Sequence, residues 1–223
     1  MSHAKAQRKK EMVVSSLSLV TDSWVKVSWD EFLEFVEHSD YQQGRFYFYQ
    51  NYMRVEMSPV GSIHGNNNNV VANVVNFYAT LKNIKIKGWV NTSFRRMNEG
   101  ECQPDLAFYI GEKIKFPPLN NSPVNINDLA APTLVVEVAA SSINDDLGFK
   151  RLLYERLGVK EYWVMDANNH DIIAFEIIDG GSRRIEESKV LPGLQIAIVK
   201  EAIQKSLTQD DGEVNRWLLG IFS

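Results

Sequence analysis

The run Leu134-Val135-Val136-Glu137-Val138-Ala139-Ala140 is apolar at every position but one. A strand with one wet face alternates apolar and polar residues. A strand with no polar face has cover on both sides, so this run predicts a central strand inside a layered α/β fold. The exception is Glu137. A carboxylate buried without a partner costs several kcal/mol or more, so it is normally paired, protonated or bound to a metal.

The segments around that strand read as alternating strands and helices. Ser28-Trp29-Asp30-Glu31 has capping-box spacing and opens a short helix with Phe32, Phe35 and Val36 on its apolar face. Arg45 to Tyr49 and Met53 to Met57 read as a hairpin. A long helix starts near Ser62, with Val71, Val74, Val75, Tyr78 and Leu81 on one face. Strands follow at Ile84–Val90, Ser93–Arg96, Pro104–Ile110 and Thr133–Ala139, the last two separated by a surface excursion with four prolines and four asparagines. Asp145 to Leu157 reads as one helix stopped by Gly158. Glu161–Asp166, Asp171–Ile178 and Leu194–Val199 read as strands, with one or two helices at the C-terminus. Residues 1–20 read as a loose tail and 21–223 as one mixed α/β domain, a central sheet flanked by helices.

Composition narrows the function classes. One cysteine, Cys102, excludes a disulfide framework and a cysteine-cluster zinc site. No apolar run reaches the roughly 18 residues needed to span a bilayer, and no signal peptide is legible, so the expectation is a cytoplasmic protein without a membrane partner. The net charge of −4 argues against a protein that coats nucleic acid. It leaves room for an acidic metal site, where the ion supplies positive charge at the phosphate.

Asp105, following Pro104 at the head of an apolar strand, repeats the pattern of Glu137. Two such carboxylates on neighbouring strands make a hard oxygen site suited to Mg²⁺, with Mn²⁺ as an alternative. Alone, each reads more readily as a strand-end carboxylate that reaches solvent or meets an arginine. Asp146 and Lys150 lie four apart on one helical face, where the bland reading is a surface ion pair. His64 near a helix start has a structural reading too. Tyr162 and Trp163 read as packing, and Arg151, Arg156 and Lys160 as a solvated basic rim.

Pro104-Asp105 followed by Glu137-Val138-Ala139 resembles the split acidic motif of the PD-(D/E)XK nucleases. More closely, the chain resembles the Uma-two family of restriction-type endonucleases. The resemblance rests on Val55-Glu56-Met57-Ser58-Pro59 with His64, Gln103-Pro104-Asp105-Leu106-Ala107, Val135-Val136-Glu137-Val138, Asp146-Leu147-Gly148-Phe149-Lys150 and Gly158-Val159-Lys160-Glu161-Tyr162-Trp163-Val164-Met165-Asp166, in that order. It implies a restriction-endonuclease-like core with a four-stranded mixed sheet, and Mg²⁺-dependent hydrolysis of DNA by Asp105, Glu137 and Lys150. Asp105 and Glu137 would be metal ligands with Glu56 as a third, and His64 and Asp146 auxiliary. Where the superfamily's lysine stands, this chain has Ala139, and Lys150 matches the position to which the family's lysine has moved. Ala140-Ser141-Ser142 replaces the family's more usual Ser-Pro pair. A homodimer would suit cutting both strands. The competing expectations are a non-catalytic member of the fold that binds nucleic acid or protein, and a metal-dependent hydrolase of a small phosphoester.

Overall fold

In the computed structural model the described residues are 21–57 and 61–223, so the N-terminal tail and Ser58-Pro59 of the resemblance lie outside them. Among the described residues are two mixed six-stranded sheets and six α-helices. The strands are β1 (Val25–Lys26), β2 (Arg45–Tyr49), β3 (Tyr52–Glu56), β4 (Ile86–Val90), β5 (Phe94–Arg96), β6 (Gly100–Cys102), β7 (Leu106–Ile110), β8 (Val124–Asn125), β9 (Leu134–Ala139), β10 (Glu161–Asp166), β11 (Asp171–Ile178) and β12 (Gly181–Ile185). The helices are α1 (Trp29–Glu37), α2 (Ser62–Leu81), α3 (Ile143–Leu147), α4 (Phe149–Leu157), α5 (Ile196–Lys205) and α6 (Asp211–Phe222).

The larger core is built on the sheet ordered β12-β11-β10-β9-β7-β4. β9 lies between β7, antiparallel to it, and β10, parallel to it. Its side chains divide by the two-residue period of a strand. Leu134, Val136 and Val138 enter the core shared with α2, α5 and α6, whereas Val135 and Ala139 enter the core shared with α4 and the other sheet. That is why the strand is apolar on both faces.

The other sheet runs β1-β3-β2-β6-β5-β8. Its β2–β3 hairpin closes through Gln50 and Asn51, both at positive φ (49° and 63°), the backbone that a two-residue hairpin turn with matching twist requires. The Ser28 capping box forms as expected: its Oγ accepts from Glu31 N and Glu31 Oε2 accepts from Ser28 N. The excursion before β9 is held in part by its asparagines, with Asn120 and Asn125 side chains accepting from the backbone two residues on.

Three expectations are corrected, and one strand is added to them. The four-stranded core sheet is six-stranded, because β4 and the β11–β12 hairpin extend it. Asp145–Leu157 is two helices, broken at Gly148, where an added Cβ would lie 2.7 Å from Asn144 O. Leu194–Val199 is not a strand. Ile196, Val199, Ala202 and Ile203 are its buried positions, a helical period that reveals itself only past residue 199. The segment after Asp179-Gly180 forms β12, a strand too polar to declare itself in sequence.

Gly158 caps α4 in the left-handed conformation, φ 83°, with its N–H bonded to the carbonyls of Glu155 and Tyr154. A Cβ there has open space but an unfavourable backbone. Gly158→Ala is therefore expected to cost about 1 kcal/mol, read by chemical denaturation, with the slope unchanged.

Candidate functional site

Where the two sheets meet, a cleft of about 120 Å³ opens between the C-terminal end of β9, the head of β7, the start of β2, the end of β3 and the first turn of α2. Its lining includes Arg45, Arg54, Glu56, His64, Asp105, Glu137 and Lys150. From Arg45 to Lys150 these residues span 105 positions of sequence, and the packing of one sheet on the other unites them.

β7 and β9 pair with Leu106 opposite Val136, which sets Asp105, one residue before β7, beside Glu137. Asp105 is 2% exposed. Its Oδ1 accepts from Arg45 Nη1 at 2.5 Å and lies 2.8 Å from His64 Nε2, while Oδ2 accepts the Val138 N–H at 2.8 Å. Burial pushes this carboxyl up, but the His64 hydrogen bond and the Arg45 charge outweigh burial and hold it at about 2. Asp105 is thus ionised across the physiological range.

Glu137, 1% exposed, is in the opposite condition. Its Oε1 accepts from Tyr154 Oη at 2.5 Å, and Lys150 Nζ stands 3.9 Å away. Burial raises its pKa well above the ordinary value; Lys150 opposes the rise, and the charges of Asp105, Asp146 and Glu56 add to it. Two carboxylates on adjacent strands therefore have their proton affinities driven apart by their surroundings, the pattern expected where carboxylates share a functional site.

Lys150, 1% exposed, comes from the first turn of α4. Its Nζ lies 2.8 Å from Glu56 Oε1 and 2.9 Å from Asp146 Oδ1, and 4.2 Å from the centre of the Tyr47 ring. Burial lowers its pKa, but the three carboxylates more than reverse that, so it stays an ammonium. The surface ion pair with Asp146 is thus not a surface pair at all. The ammonium turns inward, toward Glu56 and Asp146 first and Glu137 next. Ala139, on the same strand face as Glu137, is fully buried, and the cation reaches this region from the helix instead.

Glu56 also accepts from Arg54 Nε at 2.9 Å, and Arg54 reaches on to Asp145 Oδ2 at 3.1 Å. Burial pushes Glu56 up, yet Lys150 and Arg54 bring it below the ordinary value. Asp146 is held from its other side by Ser142 Oγ at 2.5 Å, and burial raises its pKa. All five residues singled out from sequence with Asp105 (Glu56, His64, Glu137, Asp146 and Lys150) thus belong to one connected cluster. Four others were missed: Arg45, Arg54, Tyr47 and Tyr154. Arg45 and Arg54 carried a signal, a lone cation heading or interrupting the apolar runs Phe46–Tyr49 and Met53–Val55, the same logic that marked Glu137. The tyrosines carried none.

Among the described residues no three His, Cys, Asp or Glu side chains converge as a ready-made metal cage. The donor set nevertheless suits Mg²⁺ or Mn²⁺. Mg²⁺ keeps several waters and takes one or two carboxylates together with substrate phosphate oxygens, so Asp105 and Glu137 are the residues that could hold it. Glu56 is committed to Lys150 and Arg54 on Oε1.

The family model Uma2, described as "Putative restriction endonuclease", matches residues 29–210. Among solved structures, a protein of Anabaena variabilis ATCC 29413 described as a putative nuclease aligns with a TM-score of 0.53 over 86% of this chain and 99% of its own, at 16% identity. At that identity the likeness is one of fold. Comparison with curated proteins returns no match.

The raised pKa of Glu137 has a consequence for stability. The folded state holds this proton more tightly than the unfolded chain, so its contribution is complete below the ordinary value of 4.5 and is lost as pH rises through the folded value. Glu137→Gln has no proton to lose and can still accept from Tyr154. In thermal denaturation without metal, the variant is expected to match or exceed wild type at pH 7, and its advantage should shrink toward pH 4. A variant less stable by several kcal/mol at pH 7 would make Glu137 an ion-pair partner of Lys150 and nothing more.

Proposed function

This chain belongs to the Uma2 family, and we propose that it is a divalent-metal-dependent endonuclease that hydrolyses DNA phosphodiester bonds at the cleft between the sheets. The observation that carries the reading is the convergence of Asp105, held low by His64 and Arg45, Glu137, whose pKa burial raises, and the buried ammonium of Lys150 on one polar cleft. Structural ion pairs need no cleft, and an isolated pair needs only one partner for each charge. Here Lys150 meets Glu56 and Asp146 and stands 3.9 Å from Glu137, while Arg54 shares Glu56.

Asp105 and Glu137 would hold the ion, Mg²⁺ or Mn²⁺. Bound there, a divalent cation polarises phosphoryl oxygens and lowers the pKa of a water molecule. Lys150 places a fixed positive charge 3.9 Å from Glu137, where it would offset charge developing on the phosphoryl oxygens. Glu56 and Asp146 fix the lysine from two sides, and Arg54 fixes Glu56, so the ammonium is preorganised rather than mobile. His64 and the backbone N–H of Val138 orient Asp105. Attack by the water oxygen on phosphorus breaks the bond to one sugar oxygen, and that oxygen leaves with a proton.

The dimensions favour a polymer over a metabolite. A cleft of about 120 Å³ admits several waters or a phosphate group. It does not enclose a nucleoside, so base and sugar would remain outside, as they do when a strand lies across the opening. Among the described residues no helix is long and apolar enough to cross a membrane.

Cleavage of supercoiled and linear DNA in Mg²⁺ or Mn²⁺, abolished by chelator, is the direct test. Asp105→Asn is expected to lower the rate by on the order of a hundredfold or more, with loss of Mn²⁺-dependent thermal stabilisation. Lys150→Met should lower it similarly while Mn²⁺ still stabilises the fold. It should also cost about 3–5 kcal/mol at neutral pH, because Glu56, Asp146 and Glu137 lose their shared cation, with a smaller cost in acid where they protonate. Mn²⁺ binding with no cleavage of any DNA form would sink the nuclease reading and leave a non-catalytic member of the fold.

A further inference from the structure

The carboxylate on which a cation would sit already has partners. Asp105 Oδ1 accepts from Arg45 Nη1 at 2.5 Å and faces His64 Nε2 at 2.8 Å; Oδ2 accepts the Val138 N–H at 2.8 Å. A carboxylate oxygen offers two lone pairs, so Oδ1 is fully engaged and Oδ2 has one direction left. A cation that takes Asp105 through Oδ1 must first displace a protein group.

Of the two groups, Arg45 is the one with room to move. The His64 side chain is 9% exposed and anchored in the first turn of a 20-residue helix. Arg45 is the first residue of β2, its side chain is 17% exposed, and it lines the cleft. A guanidinium is charged at any working pH, so a divalent cation arriving at hydrogen-bond distance repels it strongly. A guanidinium released from a carboxylate has one preferred alternative partner, the oxygen pair of a phosphate, which its planar fork matches with two parallel N–H bonds.

Resting on the metal-dependent nuclease reading, we propose that Arg45 is a placeholder: it occupies Asp105 Oδ1 until a divalent cation displaces it, and the freed guanidinium then binds the phosphodiester. Metal and substrate are coupled through this one side chain. Each ligand makes room or charge for the other, so by linkage each tightens the other's binding by the same factor. Lys150 cannot do this, because its ammonium is enclosed and fixed by Glu56 and Asp146.

The test is calorimetric titration of Mn²⁺ into the full chain, alone and with saturating dimethyl phosphate, the smallest phosphodiester. Wild type is expected to bind Mn²⁺ about fivefold or more tightly when dimethyl phosphate is present. Arg45→Gln, lacking the competing cation, should bind Mn²⁺ alone about fivefold or more tightly than wild type and gain nothing further from dimethyl phosphate. Arg45→Gln that binds Mn²⁺ no better than wild type, or keeps the gain, overturns the placeholder role while the nuclease reading stands. No Mn²⁺ binding by wild type overturns both. Should Arg45→Gln fail to fold, Arg45→Lys decides: it keeps the ion pair and near-wild-type Mn²⁺ affinity, and must lose most of the dimethyl phosphate gain because an ammonium has no fork. An undiminished gain in Arg45→Lys overturns the proposal.

Discussion

The ammonium of Lys150 is the point on which both halves of the structure lean. Glu56 comes from the sheet that holds the β2–β3 hairpin, Glu137 from the sheet that holds β9, and Asp146 from the short helix before α4. Without the cation, three carboxylates would meet in a region where none is more than slightly exposed, and of the three Glu56 would keep a cationic partner, Arg54. With it, α4 is drawn into the seam between the sheets, where Leu153, Tyr154 and Leu157 fill the shared apolar core. The helix break at Gly148 serves the same end, since it lets Asp146 and Lys150 approach from separate helices.

A second link crosses the seam with the opposite polarity. Arg45 belongs to one sheet and Asp105 to the other, so the cation now comes from the hairpin and the anion from the central strands. The two links bracket the cleft. One is rigid, with its ammonium held on every side. The other joins a buried carboxylate to a partly exposed guanidinium. On the proposed reading, the first would hold charge steadily and the second would give way to an ion.

Membership of the Uma2 family and the fold shared with the Anabaena protein agree with this geometry without supplying it. A fold of this kind hosts active and inactive copies, and function resides in the particular side chains that its strand ends bring together. The chain's net charge of −4 fits that division. On the proposed reading, contact with DNA would rest on Arg45, the partly exposed cation that lines the cleft, and not on a basic surface.

What the sequence determined by itself followed from local cost. Glu137 in an apolar run and Asp105 at the head of another marked themselves, because a buried carboxylate is intelligible only with a partner. The capping box at Ser28, the hairpin at Gln50-Asn51 and the left-handed cap at Gly158 were legible for the same reason, each being set by residues within four positions of one another. The helix over Ile196–Lys205 was misread because its first four residues, Ile196-Ala197-Ile198-Val199, are all apolar, a short run that fits a buried strand as readily as a helix. β12 was missed because an edge strand facing water carries no apolar signature. Only the tertiary structure decided which charge meets which. Arg45 lies 60 positions from Asp105 and Glu56 lies 94 from Lys150, and nothing in a one-dimensional pattern selects among 24 cations and 28 anions. The choice is made by strand register and by the packing of one sheet on the other. Long-range electrostatics acts over ångströms of space, and a sequence records only order along the chain.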